Sequence, residues 1–148
     1  MDETGIMEGL GINGLCVRSS DIKVALLKYP ESRIWTTIIE CISATGQHLP
    51  PLVIFKGKDV QQQWFSDDNK DLDTLKDWTF TTSENGWTSN DITIEWLTSV
   101  FIPLTKIIRK RLLIIDGHGS HETDDFMWQC YDNGIYLLFL PPHASHVL

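Results

Sequence analysis

Residues 111–121 read RLLIIDGHGSH, an apolar run that stops abruptly at Asp116-Gly117. Four branched apolar residues in succession, without alternation, are typical of a strand that is covered on both faces. Residues 135–140, IYLLFL, form a second run of the same kind. The sequence therefore predicts two buried strands, the first of which presents an acidic side chain where it ends.

The segment between these two runs has the features of a short helix. Thr123 precedes two acidic residues, a favourable arrangement at a helix N-terminus, and Asn133-Gly134 is a typical helix end. Such a helix would turn Phe126, Met127 and Cys130 inward. A strand, a helix and a second strand in this order predict a parallel βαβ unit in an α/β domain.

The preceding part of the chain adds further elements to the same sheet. Residues 33–43 (RIWTTIIECIS) and 52–55 (LVIF) are rich in β-branched and aromatic residues and flank a turn, so they predict two neighbouring, antiparallel strands. Residues 90–102 predict a helix that begins after Ser89. Its buried face would comprise Ile92, Trp96, Leu97, Val100, Phe101 and Leu104, and Trp35 and Trp128 should join the core.

Composition limits the classes of protein to which the chain can belong. Its 148 residues, 42% of them hydrophobic and 22% charged, suit one soluble globular domain over residues 1–148. Cys16, Cys41 and Cys130 are odd in number and widely spaced, which favours reduced thiols inside the cell over secretion. No apolar stretch approaches the length of a membrane span, so we expect no membrane partner.

Negative charge is concentrated in one segment. The formal net charge is -8, and nine acidic but only two basic residues lie between positions 59 and 95. We expect an acidic insertion of helix and loop at about residues 59–90. This charge opposes binding to a phosphate backbone. Residues 106–111 (KIIRKR) are the exception, and they predict either a small basic patch or a solvated helix end.

Asp116 is the first candidate for chemistry. In open α/β sheets, ligands bind beyond the carboxyl ends of the strands, which is where Asp116 should lie. A carboxylate held by a rigid strand and followed by glycine suits a metal ligand. The same sequence also suits an Asx turn, in which the carboxylate only accepts a main-chain hydrogen bond. The position by itself leaves both interpretations open.

Several separate blocks of the sequence resemble the DDE superfamily transposases. The resemblance is to the pogo-like branch of the Tc1/mariner group, which includes the relatives of jerky and centromere protein B. The matching blocks are residues 2–5 (DETG), 49–54 (LPPLVI), 86–88 (GWT), 95–97 (EWL), 116–121 (DGHGSH) and 140–146 (LPPHASH). They extend over nearly the whole chain.

The resemblance implies an RNase H-like fold, in which a mixed sheet is flanked by helices. It also implies three acidic residues that hold two divalent ions, Mg²⁺ or Mn²⁺, and the first two of these acids match Asp2 and Asp116. The implied activity is the cleavage and joining of DNA strands. One ion activates the attacking oxygen, and the other stabilises the leaving oxygen. DNA as the partner and a nuclear location follow from the same resemblance.

The chain departs from the family pattern at both ends. The third acid of the family follows the PPHxSH block in a Q-P-L-D string, which residues 1–148 do not contain. The family's first strand begins upstream of its Asp, whereas here only Met1 precedes Asp2. We therefore expect an incomplete sheet without most of its first strand and without the last helix, with Asp2 on a frayed terminus. Such a chain should be inactive as a nuclease, and its open sheet should favour self-association.

Four of the histidines lie beside these acidic blocks. His118 and His121, and likewise His143 and His146, are spaced as His-x-x-His pairs, which would suit zinc. The family instead places these residues, together with Ser120, on loops around the acidic cluster. We favour that second interpretation, in which the five side chains shape the cleft by hydrogen bonding.

Two other hypotheses belong to different classes of protein. The chain could be a noncatalytic, domesticated interaction module that retains the RNase H-like scaffold, or a fragment of a longer reading frame. Genomic sequence beyond both ends would separate them. An in-frame QPLD string and an upstream strand would indicate a fragment of an enzyme, and stop codons would indicate a domesticated piece.

Overall fold

A computed structural model describes residues 1–8, 34–61, 65, 75–106, 109–116 and 122–141. These residues form a mixed α/β structure consistent with an RNase H-like fold, as predicted. The strands are β1 (Asp2–Glu8), β2 (Ile34–Glu40), β3 (Leu52–Lys56), β4 (Thr79–Ser83), β5 (Arg111–Asp116) and β6 (Ile135–Leu140). The helices are α1 (Asn90–Trp96), a π-helical turn (Leu97–Phe101), α2 (Ile102–Thr105) and α3 (Asp124–Asp132).

The strands form two hydrogen-bonded groups. The first has the order β1-β2-β3-β4, in which β1 and β3 are antiparallel to β2 and β4 is parallel to β3. The second is the parallel pair β5 and β6. The predicted antiparallel pair of early strands and the predicted βαβ unit are both confirmed. Strand β4 was not predicted, because its sequence TFTTS has no apolar run and lies within the polar segment.

Both longer helices begin at the residues that the sequence indicated. The Ser89 hydroxyl accepts a hydrogen bond from the amide of Ile92 at 3.3 Å, and the Thr123 hydroxyl accepts one from Phe126 at 3.4 Å. The chain remains helical past Pro103, which follows the π-helical turn. A π turn shifts the main-chain hydrogen-bonding pattern, so the amide hydrogen that proline lacks need not interrupt the helix. None of the helices in the described part of the chain has the length and apolar character needed to span a bilayer.

The hydrophobic core lies between one face of the strands and the helices. Its buried members are Ile39, Leu52, Ile54, Ile92, Trp96, Leu97, Val100, Phe101, Leu113, Ile115, Phe126, Cys130 and Ile135. The predicted burial is wrong for three residues, since Leu104 is 54% exposed, Met127 38% and Trp128 66%. On α3 the buried pair Phe126 and Cys130 defines the inner side, and the intervening positions therefore turn outward.

The other face of the sheet carries no helix among the described residues. Leu113 and Ile115 of β5 are buried in the core, whereas the alternate residues Leu112 and Ile114 are 61% and 44% exposed. Strand β6 alternates in the same way, and its residue Leu138 is 46% exposed. We call this side, which includes Leu112, Ile114 and Leu138, the open face.

Candidate active site

Asp116 is the last residue of β5 and is half-buried. Its side chain lies on the open face, because it follows Leu112 and Ile114 in the alternation of the strand. The aliphatic strand fixes the main chain at this point, so the position of the carboxylate is determined by the sheet rather than by a loop. Asp116 therefore lies at the end of a strand, as predicted.

Asp2 is the first residue of β1 and lies opposite Glu40, the last residue of β2. One oxygen of its carboxylate, Oδ1, accepts a hydrogen bond of 3.0 Å from the amide of Glu3. Glu3 lies opposite the buried core residue Ile39, so the preceding residue, Asp2, projects from the opposite side of the sheet. The side chain of Asp2 is exposed and therefore also belongs to the open face.

The amino nitrogen of Met1 joins β1 to β5, since it donates a hydrogen bond of 3.0 Å to the carbonyl oxygen of Ile114. Met1 directly precedes β1, and Ile114 lies two residues before the end of β5 at Asp116. The bond therefore brings the start of β1 close to the last residues of β5, although the two strands belong to separate hydrogen-bonded groups.

This arrangement corrects the expectation that Asp2 sits on a frayed terminus. Strand β1 has seven residues, and its whole length is paired with β2. The strand is formed by the residues after Asp2, on which the expectation did not depend. Residues 2–8 form a strand because their partner β2 is a strongly β-forming segment, and the Met1–Ile114 hydrogen bond holds the other side.

Asp2 and Asp116 are the two predicted metal ligands that the structure describes. Carboxylate oxygens are the ligands that Mg²⁺ and Mn²⁺ prefer, and one oxygen of Asp2 remains beside the hydrogen-bonded Oδ1. Within the described ranges no group of three or more His, Cys, Asp or Glu side chains is arranged to hold a metal ion. Glu40 is paired with Asp2 in the β1–β2 register but completes no such group. The chemistry of the two carboxylates suits a divalent ion, and their role as its ligands stays a prediction.

The other predicted site residues lie outside the described part of the chain. These are His118, Ser120, His121, His143 and His146, in the two blocks that follow β5 and β6. Their proposed role in shaping the cleft, and the alternative of a zinc site, stay predictions. Their blocks follow the strand ends at Asp116 and Leu140, which are paired in the parallel register of β5 and β6.

One contact near the site was not anticipated from the sequence. The indole of Trp87 packs against Trp35 with ring centroids 4.9 Å apart, and it also covers Gly5 of β1. A Cβ atom at Gly5 would lie 3.2 Å from the ring of Trp87, so a larger residue would push the ring away. The glycine of the DETG block and the tryptophan of the GWT block thus form one packing unit, which pattern matching alone could not reveal.

The comparisons with known families define the class of this protein. The DDE superfamily endonuclease family matches residues 32–148, which is most of the chain. The chain therefore belongs to the DDE superfamily endonucleases. Asp116 lies inside the matched range and Asp2 lies before it, so the assignment of Asp2 depends on the DETG resemblance and on the strand geometry described above.

One similar protein is the MFS-type transporter clz9 of Cochliobolus lunatus. It is 38% identical to this chain over 151 residues, a match that covers 99% of the chain but 16% of the relative. The chain thus spans about a sixth of the length of the relative that it matches. No solved structure matches the chain.

Proposed function

We propose that this chain is the catalytic core of a DDE transposase of the pogo-like branch of the Tc1/mariner group, and that Asp2 and Asp116 are its first two metal ligands. The observation that supports the proposal is the hydrogen bond between Met1 and Ile114, because it brings the start of β1, which carries Asp2, close to the strand that ends at Asp116. Members of the DDE family generally bind DNA and use divalent ions. DNA is accordingly the proposed substrate, and the nucleus is the proposed location.

Asp2 and Asp116 would hold Mg²⁺ or Mn²⁺ at the end of β5. A bound divalent ion supplies Lewis acidity to the phosphate and lowers the pKa of an attacking water or hydroxyl. The protein would hold the two carboxylates in position, because each is attached to a paired strand that moves little. No helix among the described residues covers the sheet face beside them, which leaves room for a nucleic-acid strand to approach.

We further propose that the 148-residue polypeptide does not cleave DNA by itself. The described residues offer two carboxylates at this position, and the sequence contains no QPLD string to provide a third. Loss of one carboxylate removes a ligand and a negative charge from a site whose geometric tolerances are tight. The net charge of -8 also weakens attraction to DNA.

A noncatalytic interaction module on the same scaffold is the second candidate. It is favoured by the apolar side chains on the open face, where Ile114 and Leu138 are 44% and 46% exposed. A contiguous apolar surface of this kind is typical of a site for contact with another protein. This candidate predicts that divalent ions bind no more tightly at Asp2 and Asp116 than elsewhere on the acidic surface.

Titration with Mn²⁺, followed by electron paramagnetic resonance of the free ion, separates the two candidates. If the proposal is correct, Asp2→Asn and Asp116→Asn each weaken the tightest Mn²⁺ site by at least about tenfold. The matched control is Asp59→Asn, an exposed aspartate away from the strand ends, which should leave that site unchanged. Equal Mn²⁺ binding by all four proteins would contradict the metal assignment.

Activity requires a separate measurement, because the metal could bind without supporting chemistry. Supercoiled plasmid is incubated with the chain and Mg²⁺ or Mn²⁺, and nicked product is compared between the unaltered chain and Asp116→Asn. We expect no nicking that depends on Asp116. Nicking that disappears in Asp116→Asn would show that two carboxylates suffice, and the proposal of inactivity would then be wrong.

A further inference from the structure

Helix α3 presents two large aromatic side chains to solvent. Trp128 is 66% exposed and Tyr131 is 76% exposed, and the centroids of their rings are 5.9 Å apart. The sequence predicts Trp128 in the core, whereas the structure turns it outward, so packing within the chain does not account for this residue. Trp and Tyr are the residue types that most often dominate the binding energy of protein interfaces.

The outward direction of Trp128 follows from its position on the helix. Phe126 and Cys130 are buried and define the side of α3 that faces the core. At 3.6 residues per turn, position 128 lies opposite the midpoint of positions 126 and 130, so the indole is directed away from the sheet. This outer surface lies on the helix side of the sheet, whereas Asp2 and Asp116 belong to the open face.

Acidic side chains surround Trp128 on the outer surface. Its neighbours three and four positions away along the helix are Asp124, Asp125, Tyr131 and Asp132, and all four are exposed. Residues 122–136 contain four acidic residues and no Lys, Arg or His, so this segment supplies no basic neighbour that would neutralise the aspartates. We call Trp128, Tyr131 and the three aspartates the acidic aromatic patch.

The chemistry of the acidic aromatic patch selects a cationic partner. The face of an indole ring attracts a cation, and adjacent carboxylates add to that attraction. The same carboxylates repel a phosphate backbone and the anionic headgroups of a membrane. The outer surface of a helix is convex, whereas small molecules bind in concave sites that enclose them. A basic polypeptide segment therefore fits the patch better than a nucleic acid, a membrane or a small cation.

Arginine suits the patch better than lysine. A guanidinium can stack on the indole of Trp128 while its N–H groups donate to a carboxylate one turn away, and an ammonium cannot do both. Asp124 and Asp132 are eight residues apart, about 12 Å along the helix axis, with Trp128 midway between them. In an extended peptide, three arginines at alternate positions span about 13 Å. The middle arginine would then lie over the indole, and the outer two would reach the aspartates.

We propose that the outer surface of α3 binds an extended, arginine-rich segment of a partner protein through the acidic aromatic patch. Charge complementarity supports this occupant. A second copy of the chain is disfavoured, because each copy has a net charge of -8 and the two would repel each other. The inference uses neither Asp2 nor Asp116 and is independent of the proposed nuclease function.

Isothermal titration calorimetry with acetyl-Arg-Ser-Arg-Ser-Arg-amide tests the proposal. We expect saturable binding of one peptide per chain, and at least about fivefold weaker binding of acetyl-Lys-Ser-Lys-Ser-Lys-amide, which has the same charge. Trp128→Gln should weaken binding of the arginine peptide by at least about tenfold. The matched control is Tyr136→Gln, which removes an aromatic ring that is 57% exposed on β6, and it should leave binding unchanged.

The charge of the patch needs its own control, because the whole chain attracts basic peptides. Asp124→Asn combined with Asp132→Asn should weaken binding by at least about tenfold. Asp59→Asn combined with Asp77→Asn removes the same charge from exposed positions elsewhere and should weaken binding by less than about twofold. All the substituted side chains are exposed, so every variant should keep the thermal denaturation midpoint of the unaltered chain within a few degrees.

The proposal would be overturned by the absence of saturable binding, by equal affinity for the arginine and lysine peptides, or by binding that Trp128→Gln leaves unchanged. Equal weakening by the two pairs of aspartate substitutions would also overturn it, since the peptide would then respond only to the overall charge. Binding of a single-stranded oligonucleotide that is lost in Trp128→Gln would assign the patch to nucleic acid instead.

Discussion

Asp2 on β1 stands directly opposite Glu40 on β2, so two acidic side chains face each other across a pair of antiparallel strands. Like charges in this position destabilise a sheet. Replacement of Glu40 by Gln should raise the free energy of unfolding by about 0.2–1 kcal/mol, and the gain should shrink in high salt.

Urea denaturation at low and high salt measures this effect. Glu95→Gln is the control, since Glu95 is exposed on α1 and has no acidic partner across a strand. A loss of stability in Glu40→Gln would mean that Glu40 makes a stabilising contact stronger than its repulsion from Asp2. If a divalent ion binds at Asp2, it should reduce the difference between Glu40→Gln and the unaltered chain.

Gly86 is the position where a side chain should be least tolerated. Its φ is 80°, and a Cβ atom there would overlap the carbonyl oxygen of Trp35. Its own carbonyl accepts a hydrogen bond of 2.8 Å from the buried Thr37 hydroxyl, so the turn cannot easily move away. Gly86→Ala should lower the free energy of unfolding by at least about 2 kcal/mol.

Gly46 is the matched control for this substitution. Its φ of 83° is similar, but no atom lies within 4 Å of the Cβ that alanine would add. Gly46→Ala should therefore cost only the strain of the left-handed conformation, about 1 kcal/mol. Chemical denaturation of both variants measures the difference. Equal losses would show that overlap with Trp35 is relieved by a small shift of the turn.

The stability of the chain should fall at alkaline pH because of Cys130. Burial raises the pKa of this thiol to about 12, and the nearby positive charge of Arg111 only partly opposes the rise. Between the ordinary thiol pKa and about 12, the unfolded chain loses the proton while the folded chain keeps it. The contribution of Cys130 to the free energy of unfolding is complete below the ordinary thiol pKa and is lost as the pH rises from that value to about 12.

Denaturation at a series of pH values tests this linkage. Cys130→Ala removes the titrating group, so its free energy of unfolding should fall less steeply above the ordinary thiol pKa than that of the unaltered chain. The variant also loses packing in the core, which lowers its stability by an amount independent of pH. Parallel curves for the two proteins would show that Cys130 does not carry the pH dependence.

Arg111 is a structural residue rather than part of a basic patch. Its guanidinium donates to the Thr105 hydroxyl at 2.9 Å and to the carbonyl of Asn133, and it lies 5.9 Å from the centre of the Phe101 ring. It thus ties the end of α2 to the turn between α3 and β6. Arg111→Lys should lower the free energy of unfolding by about 1–3 kcal/mol, because lysine cannot make the forked contacts.

Lys110→Arg and Lys110→Ala provide the comparison, since Lys110 is exposed beside Arg111. Both should change the free energy of unfolding by less than about 0.5 kcal/mol. Thermal denaturation ranks the variants. If Arg111→Lys lowers the free energy of unfolding no more than Lys110→Ala does, Arg111 is one of the solvated basic residues at the helix end and has no structural role.

The sequence indicated those parts of the fold that have strong local patterns. Strands β5 and β6 are continuous apolar runs and were predicted near their observed bounds. Helices α1 and α3 have favourable N-caps, so their starts were predicted, whereas the single predicted helix 90–102 is observed as α1, a π-helical turn and α2. Strand β4 was missed because its polar residues are half-buried through pairing with β3, a nonlocal effect. Strand β1 was misjudged for the same reason, since DETGIME becomes a strand only beside β2.

In the candidate site, too, only the features that adjacent residues encode could be predicted from the sequence. Asp116 could be located from the end of an apolar run, because the strand and the acid are adjacent in sequence. The approach of the start of β1 to β5 could not be derived from the residues, since it depends on the Met1–Ile114 hydrogen bond between distant segments.

The open face of the sheet should make the isolated chain self-associate. Ile114 and Leu138 are adjacent in the register of β5 and β6, and together with Ile6, 49% exposed on β1, they leave aliphatic surface in water. Burial of such surface against a second copy is favourable by about 25 cal/mol per Å². The expected result is a concentration-dependent increase in mass in sedimentation equilibrium.

The double variant Ile114→Lys with Leu138→Lys should restore a monomer, because two ammonium groups cannot be desolvated against a second copy without a large penalty. The control is Met127→Lys, a partly exposed residue on α3 at the opposite side of the sheet, which should associate like the unaltered chain. A monodisperse monomer of the unaltered chain at high concentration would show that the open face is too small or too divided to drive association. Association that persists in the double variant would instead assign the contact to another surface.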